Sequence, residues 1–554
     1  MTGDGRALRL VVPLGLLGLT LAVHVIGLPI DLMDVDASQY AAISFEALEE
    51  GGRLGLTDRG APYLGKPPLL FWLGAWSFRA FGVSDVAYKL PSFLGFVLGL
   101  LATYRLAALY AGPRAGWLAA LILASSQGAF TMTQDVRTDT LLTGLVAFSL
   151  WQVAALLERP RLRHAALAGV GIGLGMLTKG LLALAIPLAA VVGDVALERR
   201  WRRLRRPEWI ATLAIAGVLL VPALIGLHEQ HGARGLRFFI WTQGPGRLVE
   251  DDVFGDVHGP LFLVPALLWT SMPWTLPLLL AVGSRLMASR KASLWLPDGK
   301  EGVALAAFLI GFVGLSLSRS KLPHYVYVLL PPAAVVTGAW LSRLGGERAL
   351  PRFLKPAQAC VLGLALALVS LLLFWSFPVG APAIWAALVA AGAAAAFALL
   401  RFGPPVRGLV AASVLTSALV NLALDAHVYP RLLEYQATGR AGRWLRERGV
   451  APGGLYAFRT GDRALDFYAR RVAIEMSDVR SVRRRAASGD LWIFTDREGL
   501  QELRRDGLRP RVVRRYRHFH VSKVTPSFLN PATRPASLQE RFILRVRAPP
   551  AQPG

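Results

Sequence analysis

Apolar residues occur along this 554-residue chain in long runs that are separated by short, arginine-rich loops. A helix of about 20 apolar residues is long enough to cross the hydrocarbon core of a bilayer. The runs therefore predict a polytopic α-helical membrane protein with about thirteen transmembrane helices. Their approximate ranges are 8–28, 86–109, 115–130, 140–157, 164–178, 180–196, 209–227, 260–283, 302–318, 324–342, 356–376, 380–400 and 408–427.

Two further apolar segments are too short or too patterned to cross a membrane. Residues 38–50 place Tyr40 and Ile43 on one helical stripe, which is typical of a helix lying in the interface. Residues 67–82 begin with two prolines suited to a first helical turn and make about four turns. We predict two interfacial helices, with Lys66 at the positive dipole end of the second, where an anion is favoured.

The pattern changes near residue 430, where charged residues become frequent and apolar runs become short. The stretches "GLYAF", "RRVAIEM", "DLWIFTD", "RVVRRYRHFHVSK" and "RFILRVR" predict strands, and "DRALDFYA", "VRSVRRRA" and "EGLQELRRDG" predict helices between them. This alternation is typical of a small α/β domain. We therefore divide the chain into a transmembrane domain, residues 1–429, and a soluble α/β domain, residues 430–554.

The net charge of +25 would suit a nucleic-acid-binding protein, but the basic residues fill alternate loops and the C-terminal domain. Basic loops mark the cytoplasmic face of a membrane protein, so we expect a membrane and no nucleic acid as partner. An odd number of spans then places the C-terminal domain on the extracytoplasmic face. The single cysteine, Cys360, excludes an internal disulfide and a cysteine metal cluster.

Ionisable residues collect in the loops assigned to the extracytoplasmic face. The first of these loops, "DVDASQY", offers Asp34 and Asp36. The second, "TQDVRTDT", offers Asp135, Arg137 and Asp139. Carboxylates flanked by cations at one membrane surface are suited to deprotonating a hydroxyl and balancing a phosphate leaving group. Later loops of the same face add Lys179, Lys321, His324 and Tyr325.

These residues also have plainer interpretations. Acidic residues beside a bilayer are often solvated loop charges, and Lys66 before "PPLLFWL" would suit a lysine that lifts its ammonium to the lipid headgroups. His258 is the candidate for a metal ligand, although no metal-ligand spacing surrounds it. A divalent metal is therefore left open, and no other cofactor is expected.

Seven short motifs stand in an order and at separations typical of a known family: "DVDASQY", "YLGKPPLLFWL", "KLPS", "RTD", "MLTKG", "GRLVEDDVFGDVHGP…SMPW" and "SRSKLPHY". With these motifs, residues 8–430 resemble the lipid-carrier-dependent glycosyltransferases of the C superfold. Within that superfold they resemble the bacterial aminoarabinose transferases that modify lipid A and the related protein mannosyltransferases.

The resemblance implies an inverting glycosyltransferase of the bacterial inner membrane. It would take a sugar from undecaprenyl phosphate, or another polyprenyl phosphate, and give it to an envelope lipid, glycan or protein, lipid A among them. The active site and the C-terminal domain would face the periplasm.

The resemblance also implies roles for individual residues. Asp36, four residues before Tyr40, matches the catalytic aspartate of the first loop, with Asp34 as a second candidate, and Asp139 matches the acidic residue of the second loop. Lys66 matches the lysine that contacts the carrier phosphate. Donor phosphate and sugar binding is then assigned to Lys66, Tyr40, Tyr63, Arg137, Lys179, Arg247, Lys321, His324 and Tyr325.

Three positions depart from the aminoarabinose branch. Ala37 and Gln39 replace the acidic residue and the arginine usual after the catalytic aspartate, and Gly65 replaces the acidic residue before the lysine. The reaction class stands, while the sugar and the acceptor are left open. Two other functions also stay open, a transporter or flippase of lipid-linked sugars and a ligase or polymerase of lipid-linked glycans.

Overall fold

The fold was determined as a computed structural model and is predominantly helical. The structure describes residues 3–51, 54–197, 200–244, 246, 258–291, 302–344, 350–451, 453–487 and 489–546.

The first part of the helical bundle alternates long helices with the short elements that carry the site. Its helices are α1 (Gly3–Ile26), α2 (Asp36–Glu49), α3 (Leu69–Phe81), α4 (Asp85–Ser125), α5 (Gln127–Gln134), α6 (Thr138–Glu158), α7 (Leu162–Lys179), α8 (Leu182–Leu197) and α9 (Glu208–Arg237). A short antiparallel pair, β1 (Thr57–Asp58) and β2 (Ala61–Pro62), lies between α2 and α3.

The second part of the bundle contains eight described helices, and two of them begin at proline. They are α10 (Leu263–Thr270), α11 (Thr275–Lys291), α12 (Gly302–Leu317), α13 (Leu330–Arg343), α14 (Leu354–Leu371), α15 (Pro382–Phe402), α16 (Pro405–Ala423) and α17 (Tyr429–Leu433). A 3-10 turn, Pro323–Leu329, leads directly into α13.

Within the described residues, seven helices are long and apolar enough to cross a membrane, and six shorter apolar helices accompany them. The seven are Asp85–Ser125, Thr138–Glu158, Glu208–Thr242, Pro323–Arg343, Leu354–Ser376, Pro382–Phe402 and Pro405–Leu433. A multi-span helical protein is therefore confirmed, whereas the number thirteen stays a prediction.

One predicted span differs from the observed helices in its continuity. The spans predicted at 86–109 and 115–130 fall mainly in α4, and they are separated where Gly112 takes a non-helical φ of 83° before Pro113. The span predicted at 260–283 is instead divided into α10 and α11. The division falls at Pro273, which has no N–H to donate to a continuing helix.

Glycine brings α4 and α6 into direct backbone contact. A Cβ atom on Gly144 of α6 would lie 1.9 Å from the carbonyl oxygen of Gly95 in α4. Any side chain at Gly144 would therefore separate the two helices, as in other membrane helix pairs packed through small residues. This close crossing places the loop before α6 beside the beginning of α4.

Both predicted interfacial segments are helices, α2 and α3. Tyr40 and Ile43 are buried on the inner face of α2, as the stripe predicted. The outer face of α3 presents Trp76 and Phe81, which are 65% and 69% exposed. An apolar outer face is what a helix resting against lipid requires.

The C-terminal residues fold into a five-stranded mixed sheet with strand order β4–β3–β5–β7–β6. Its strands are β3 (Leu455–Phe458), β4 (Ile474–Met476), β5 (Leu491–Asp496), β6 (Arg511–His518) and β7 (Gln539–Val546), and they coincide with the stretches predicted as strands. β3 is parallel to β4 and β5, whereas β7 is antiparallel to β5 and β6. The helix α18 (Ala437–Glu447), which the sequence analysis did not predict, connects the bundle to this sheet.

The C-terminal sheet packs against the end of the bundle that carries the first loop. Arg59, in the turn between β1 and β2 that follows α2, donates from Nε to Asp466 Oδ2 at 2.6 Å. Arg443 of α18 donates from Nη2 to Asp31 Oδ2 at 2.5 Å. The two predicted parts of the chain therefore meet at the loop that contains Asp36.

Candidate active site

Arg137 joins the first two predicted loops into one site. Asp36 is the first residue of α2, and Arg137 is the residue before α6. Arg137 donates from Nη1 to Asp36 Oδ2 at 2.7 Å and from Nη2 to Asp135 Oδ2 at 2.8 Å. The guanidinium is planar and rigid, so it fixes the separation of the two carboxylates.

The guanidinium of Arg137 stays protonated although the side chain is largely buried. Burial alone would lower the pKa of Arg137, but the carboxylates of Asp135 and Asp36 outweigh it and hold this pKa above its usual value. The Asp36 side chain is 35% exposed, and among the described residues only its Oδ2 atom has a hydrogen-bond partner. Asp36 is therefore a carboxylate that is oriented by a cation yet accessible to a substrate.

Asp139 and Lys179 form a second, buried ion pair beside the first. Lys179 donates from Nζ to Asp139 Oδ1 at 2.5 Å, and both side chains are buried. Asp139 lies in the first turn of α6 and Lys179 in the last turn of α7, so each charge also suits the dipole of its own helix. The ammonium lies 4.1 Å from the ring centre of Tyr325.

His324 connects the two ion pairs. Its Nδ1 atom lies 3.4 Å from Arg137 Nη1, and its Nε2 atom lies 3.7 Å from Asp139 Oδ2. The ring is held by the 3-10 turn before α13 and packs at 5.1 Å, edge to face, on Tyr325. Ionisable side chains from four separate loops therefore form one connected network.

Lys66, Tyr40 and Tyr63 border this network. Lys66 lies within electrostatic reach of Asp139 and His324. Tyr40 and Tyr63 both pack edge-on against Phe71, at 5.5 and 5.7 Å between ring centres. Burial, followed by nearby negative charge, raises the pKa of both tyrosines, so they are neutral donors rather than bases.

The missing acidic residue at Gly65 has a local explanation. A Cβ atom on Gly65 would lie 2.6 Å from the hydroxyl oxygen of Tyr63. The carbonyl of Gly65 also accepts a hydrogen bond from Gln243 Nε2 at 2.8 Å. Glycine therefore allows Tyr63 and Gln243 to pack directly against the backbone that leads into Lys66.

Asp34 and Lys321 lie apart from the network. Both carboxylate oxygens of Asp34 accept hydrogen bonds, one from the hydroxyl of Ser38 and one from the hydroxyl of Thr438. Lys321 is buried and donates to the carbonyl of Ser316 at 2.5 Å, and burial lowers its pKa. Neither side chain contacts Asp36 or Arg137 through a described hydrogen bond.

The candidate metal ligand and one candidate basic residue also fall outside the network. The His258 ring stacks on Phe262 at 3.8 Å, and its backbone N–H donates to the carbonyl of Arg319. No group of three His, Cys, Asp or Glu side chains within the described ranges is arranged to hold a metal ion. Arg247 lies outside the described residues.

Lys89 of the "KLPS" motif was quoted in the sequence analysis without a role, and the structure provides one. The ammonium is buried and donates to the carbonyl of Ile30 at 2.8 Å and that of Gly27 at 3.3 Å. It therefore holds the chain as it leaves α1 and approaches Asp36. The sequence signal was a lysine in the first turns of an otherwise apolar span.

The fold defines the class of protein. The structure superimposes on ArnT from Cupriavidus metallidurans bound to undecaprenyl phosphate with a TM-score of 0.77, covering 100% of both chains at 20% identity. Residues 65–225 match the family described as dolichyl-phosphate-mannose-protein mannosyltransferase. The chain therefore has the fold of this ArnT structure, and the fold expected from the resemblance of its motifs is confirmed.

The particular relatives are named undecaprenyl phosphate-alpha-4-amino-4-deoxy-L-arabinose arabinosyl transferase. The protein from Edwardsiella ictaluri is 30% identical over 330 residues, which is 57% of this chain and 56% of that protein. The protein from Pseudomonas aeruginosa strain LESB58 is 29% identical over 415 residues, or 71% of this chain and 72% of that protein. The first alignment thus spans little more than half of its relative.

Proposed function

We propose that this chain is an inverting glycosyltransferase that moves a sugar from undecaprenyl phosphate to an acceptor on the periplasmic face. The observation that carries the proposal is the accessible carboxylate of Asp36, fixed by Arg137 at 2.7 Å beside a network of cations. A base and phosphate-binding cations at one end of a membrane bundle are what a lipid-phosphate donor and a hydroxyl acceptor require.

The reaction is a single displacement at the anomeric carbon. The acceptor oxygen forms the new bond to that carbon while the bond from carbon to phosphate oxygen breaks. Asp36 takes the acceptor proton, and the released undecaprenyl phosphate carries away the bonding electrons as an anion. Lys66 and Arg137 hold the developing phosphate charge, and the buried Asp139–Lys179 pair keeps its surroundings rigid.

Modification of lipid A with aminoarabinose is the particular reaction that the named relatives support. One of the three departures has a structural role here, because Gln39 donates to Asp58 Oδ2 at 2.8 Å and Asp58 is itself held by Arg463 of the α/β domain. Position 39 thus serves domain docking here. Mass spectrometry of envelope lipids and glycoproteins from a deletion strain would identify the sugar and the acceptor.

A transporter is the alternative from another class. Transporters place ionisable groups near the bilayer midplane on broken helices. The described network instead lies at helix ends, with Asp139 in the first turn of α6 and Lys179 in the last turn of α7. This arrangement and the named relatives support the transferase.

The orientation in the membrane gives a direct prediction. Fusing a reporter enzyme that works only outside the cytoplasm after Tyr429 should give activity, whereas fusion after Arg203 should not. The reason is that Arg203 lies among the basic loops, which remain in the cytoplasm. The reverse pattern would place Asp36 and its partners on the cytoplasmic side and overturn the proposed site.

The role of Lys66 in donor binding gives a second prediction. Lys66→Ala should weaken binding of undecaprenyl phosphate to the purified protein by roughly 10- to 100-fold, because a charge-assisted hydrogen bond is lost in a partly dry site. Titration with undecaprenyl phosphate in detergent measures this directly. Lys66→Arg should bind more tightly than the alanine variant because it keeps the charge.

Lys355 offers a matched control for the interpretation that Lys66 only lifts its ammonium to the lipid headgroups. It likewise lies at the start of an apolar helix, α14, and donates to the carbonyl of Gly403 at 3.5 Å. Lys355→Ala should leave undecaprenyl phosphate binding unchanged. Equal binding by the wild type and both alanine variants would return Lys66 to a membrane-anchoring role.

A further inference from the structure

Two side chains at the beginning of the α/β domain reach the first loop immediately before Asp36. The side-chain amide of Gln436 donates to the carbonyl of Leu32 at 2.8 Å and accepts from the backbone N–H of Asp34 at 2.8 Å. Thr438 donates its hydroxyl proton to Asp34 Oδ2 at 2.6 Å. Gln436, Thr438 and Asp34 are all buried.

The Asp34 carboxylate links these contacts to the helix that carries Asp36. Its Oδ1 atom accepts from the hydroxyl of Ser38 at 2.6 Å. Ser38 lies in the first turn of α2, two residues after Asp36, and Asp34 lies two residues before it. The bridge from Thr438 through Asp34 to Ser38 therefore holds the chain on both sides of Asp36.

We propose that Thr438 and Gln436 are positioning residues for sugar transfer, holding Asp34 so that Asp36 keeps its place against Arg137 and the acceptor. This inference rests on the proposed role of Asp36 as the base. The α/β domain is then part of the active-site framework, because two of its first residues determine where the base lies.

The charge of Asp34 makes the bridge sensitive to loss of one donor. Burial, together with the nearby Asp462 carboxylate, raises the pKa of Asp34 to about 7, whereas the Ser38 and Thr438 hydroxyls favour its ionised form. A buried carboxylate that loses a hydrogen-bond donor must move or take up a proton. Either response disturbs the turn that begins α2.

The test compares two buried threonines of the same α/β domain. Thr438→Val removes the bond to Asp34, and Thr495→Val removes a hydroxyl that donates to the carbonyl of Phe458, at 2.9 Å within the sheet. Hydrogen–deuterium exchange of the full-length proteins in detergent reports the backbone of residues 32–40. Transfer of aminoarabinose from undecaprenyl phosphate to lipid A gives kcat and KM.

Thr438→Val is expected to speed amide exchange in residues 32–40 and to lower kcat by roughly 10- to 100-fold, since misplacing a reacting group by about 1 Å costs rates of that order. The donor KM should stay within about twofold, because Lys66 and Arg137 are unchanged. Thr438→Ser restores the hydroxyl and should restore both readouts. Thr495→Val should leave exchange in residues 32–40 as in the wild type.

Unchanged exchange in residues 32–40 of Thr438→Val, or a loss of kcat no larger than that of Thr495→Val, would overturn the positioning role. Failure of the proposed function gives different results. In that case the wild type would show no transfer, or Asp36→Asn would transfer sugar as fast as the wild type, whatever the exchange of the Thr438 variant shows. The exchange readout does not depend on the identity of the sugar or the acceptor.

Discussion

Asp36→Asn is expected to slow sugar transfer by roughly 10²–10⁴-fold, the range that a positioned general base contributes. Asparagine keeps the size of the side chain and can still accept a hydrogen bond from Arg137, but it cannot accept the acceptor proton. Donor binding should change little, because the cations of the site remain. Initial rates of transfer with purified protein, together with binding of undecaprenyl phosphate, measure both quantities.

Glu49→Gln is the matched control for this substitution, since it makes the same carboxylate-to-amide change at the exposed last residue of the same helix, α2. It should transfer sugar at the wild-type rate. If Asp36→Asn were as active as Glu49→Gln, the base would be another carboxylate of the network, or the acceptor would be an anion that needs none.

Lys179→Met is expected to destabilise the folded protein by about 3–5 kcal/mol, because it leaves the buried Asp139 carboxylate without its ionic partner. Asp139→Leu should destabilise for the same reason. The double substitution should recover much of the loss, since neither charge is then left buried without its partner. Thermal unfolding in detergent, analysed as a double-mutant cycle, gives the coupling.

Lys321→Met is the control for removing a buried lysine whose described partner is a carbonyl. It removes the bond to Ser316 without leaving a buried carboxylate unpaired, so its effect on unfolding should be smaller. Additive effects of the Lys179 and Asp139 substitutions would show that the two charges do not stabilise each other, and would remove the pair from the rigid framework of the site.

The predicted elements agree with the structure wherever local pattern decides. The apolar runs are helices, α2 and α3 lie close to their predicted ranges, and the stretches predicted as strands form β3 to β7. Hydrophobic period and turn residues act over a few residues, so the elements that they specify can be predicted without the rest of the chain. The boundary that differs is at Pro273, where a residue without an N–H interrupts a continuous apolar run.

The grouping of the candidate residues could also be predicted in part from the sequence. Every second loop of a multi-span protein lies on the same face of the membrane. This rule predicted that Asp36, Arg137, Lys179 and His324 share one face. The structure does bring these four residues into one network. It places Lys321 elsewhere, against the carbonyl of Ser316. The sequence could not predict this, because a lysine at a loop end has the same pattern whether it turns toward the site or toward a carbonyl.

The sequence by itself determined the membrane-spanning class, the two short helices α2 and α3, the α/β character of the C-terminal residues and the set of ionisable loops. Only the tertiary structure decided which carboxylate has which partner. Asp34 and Asp36 were both candidates for the base, and the structure shows Asp34 buried against Thr438 and Asp36 facing Arg137. The physical reason is that partners of a charged side chain are chosen by close packing between distant segments, and the packing of Thr438 on the first loop joins residues about 400 positions apart.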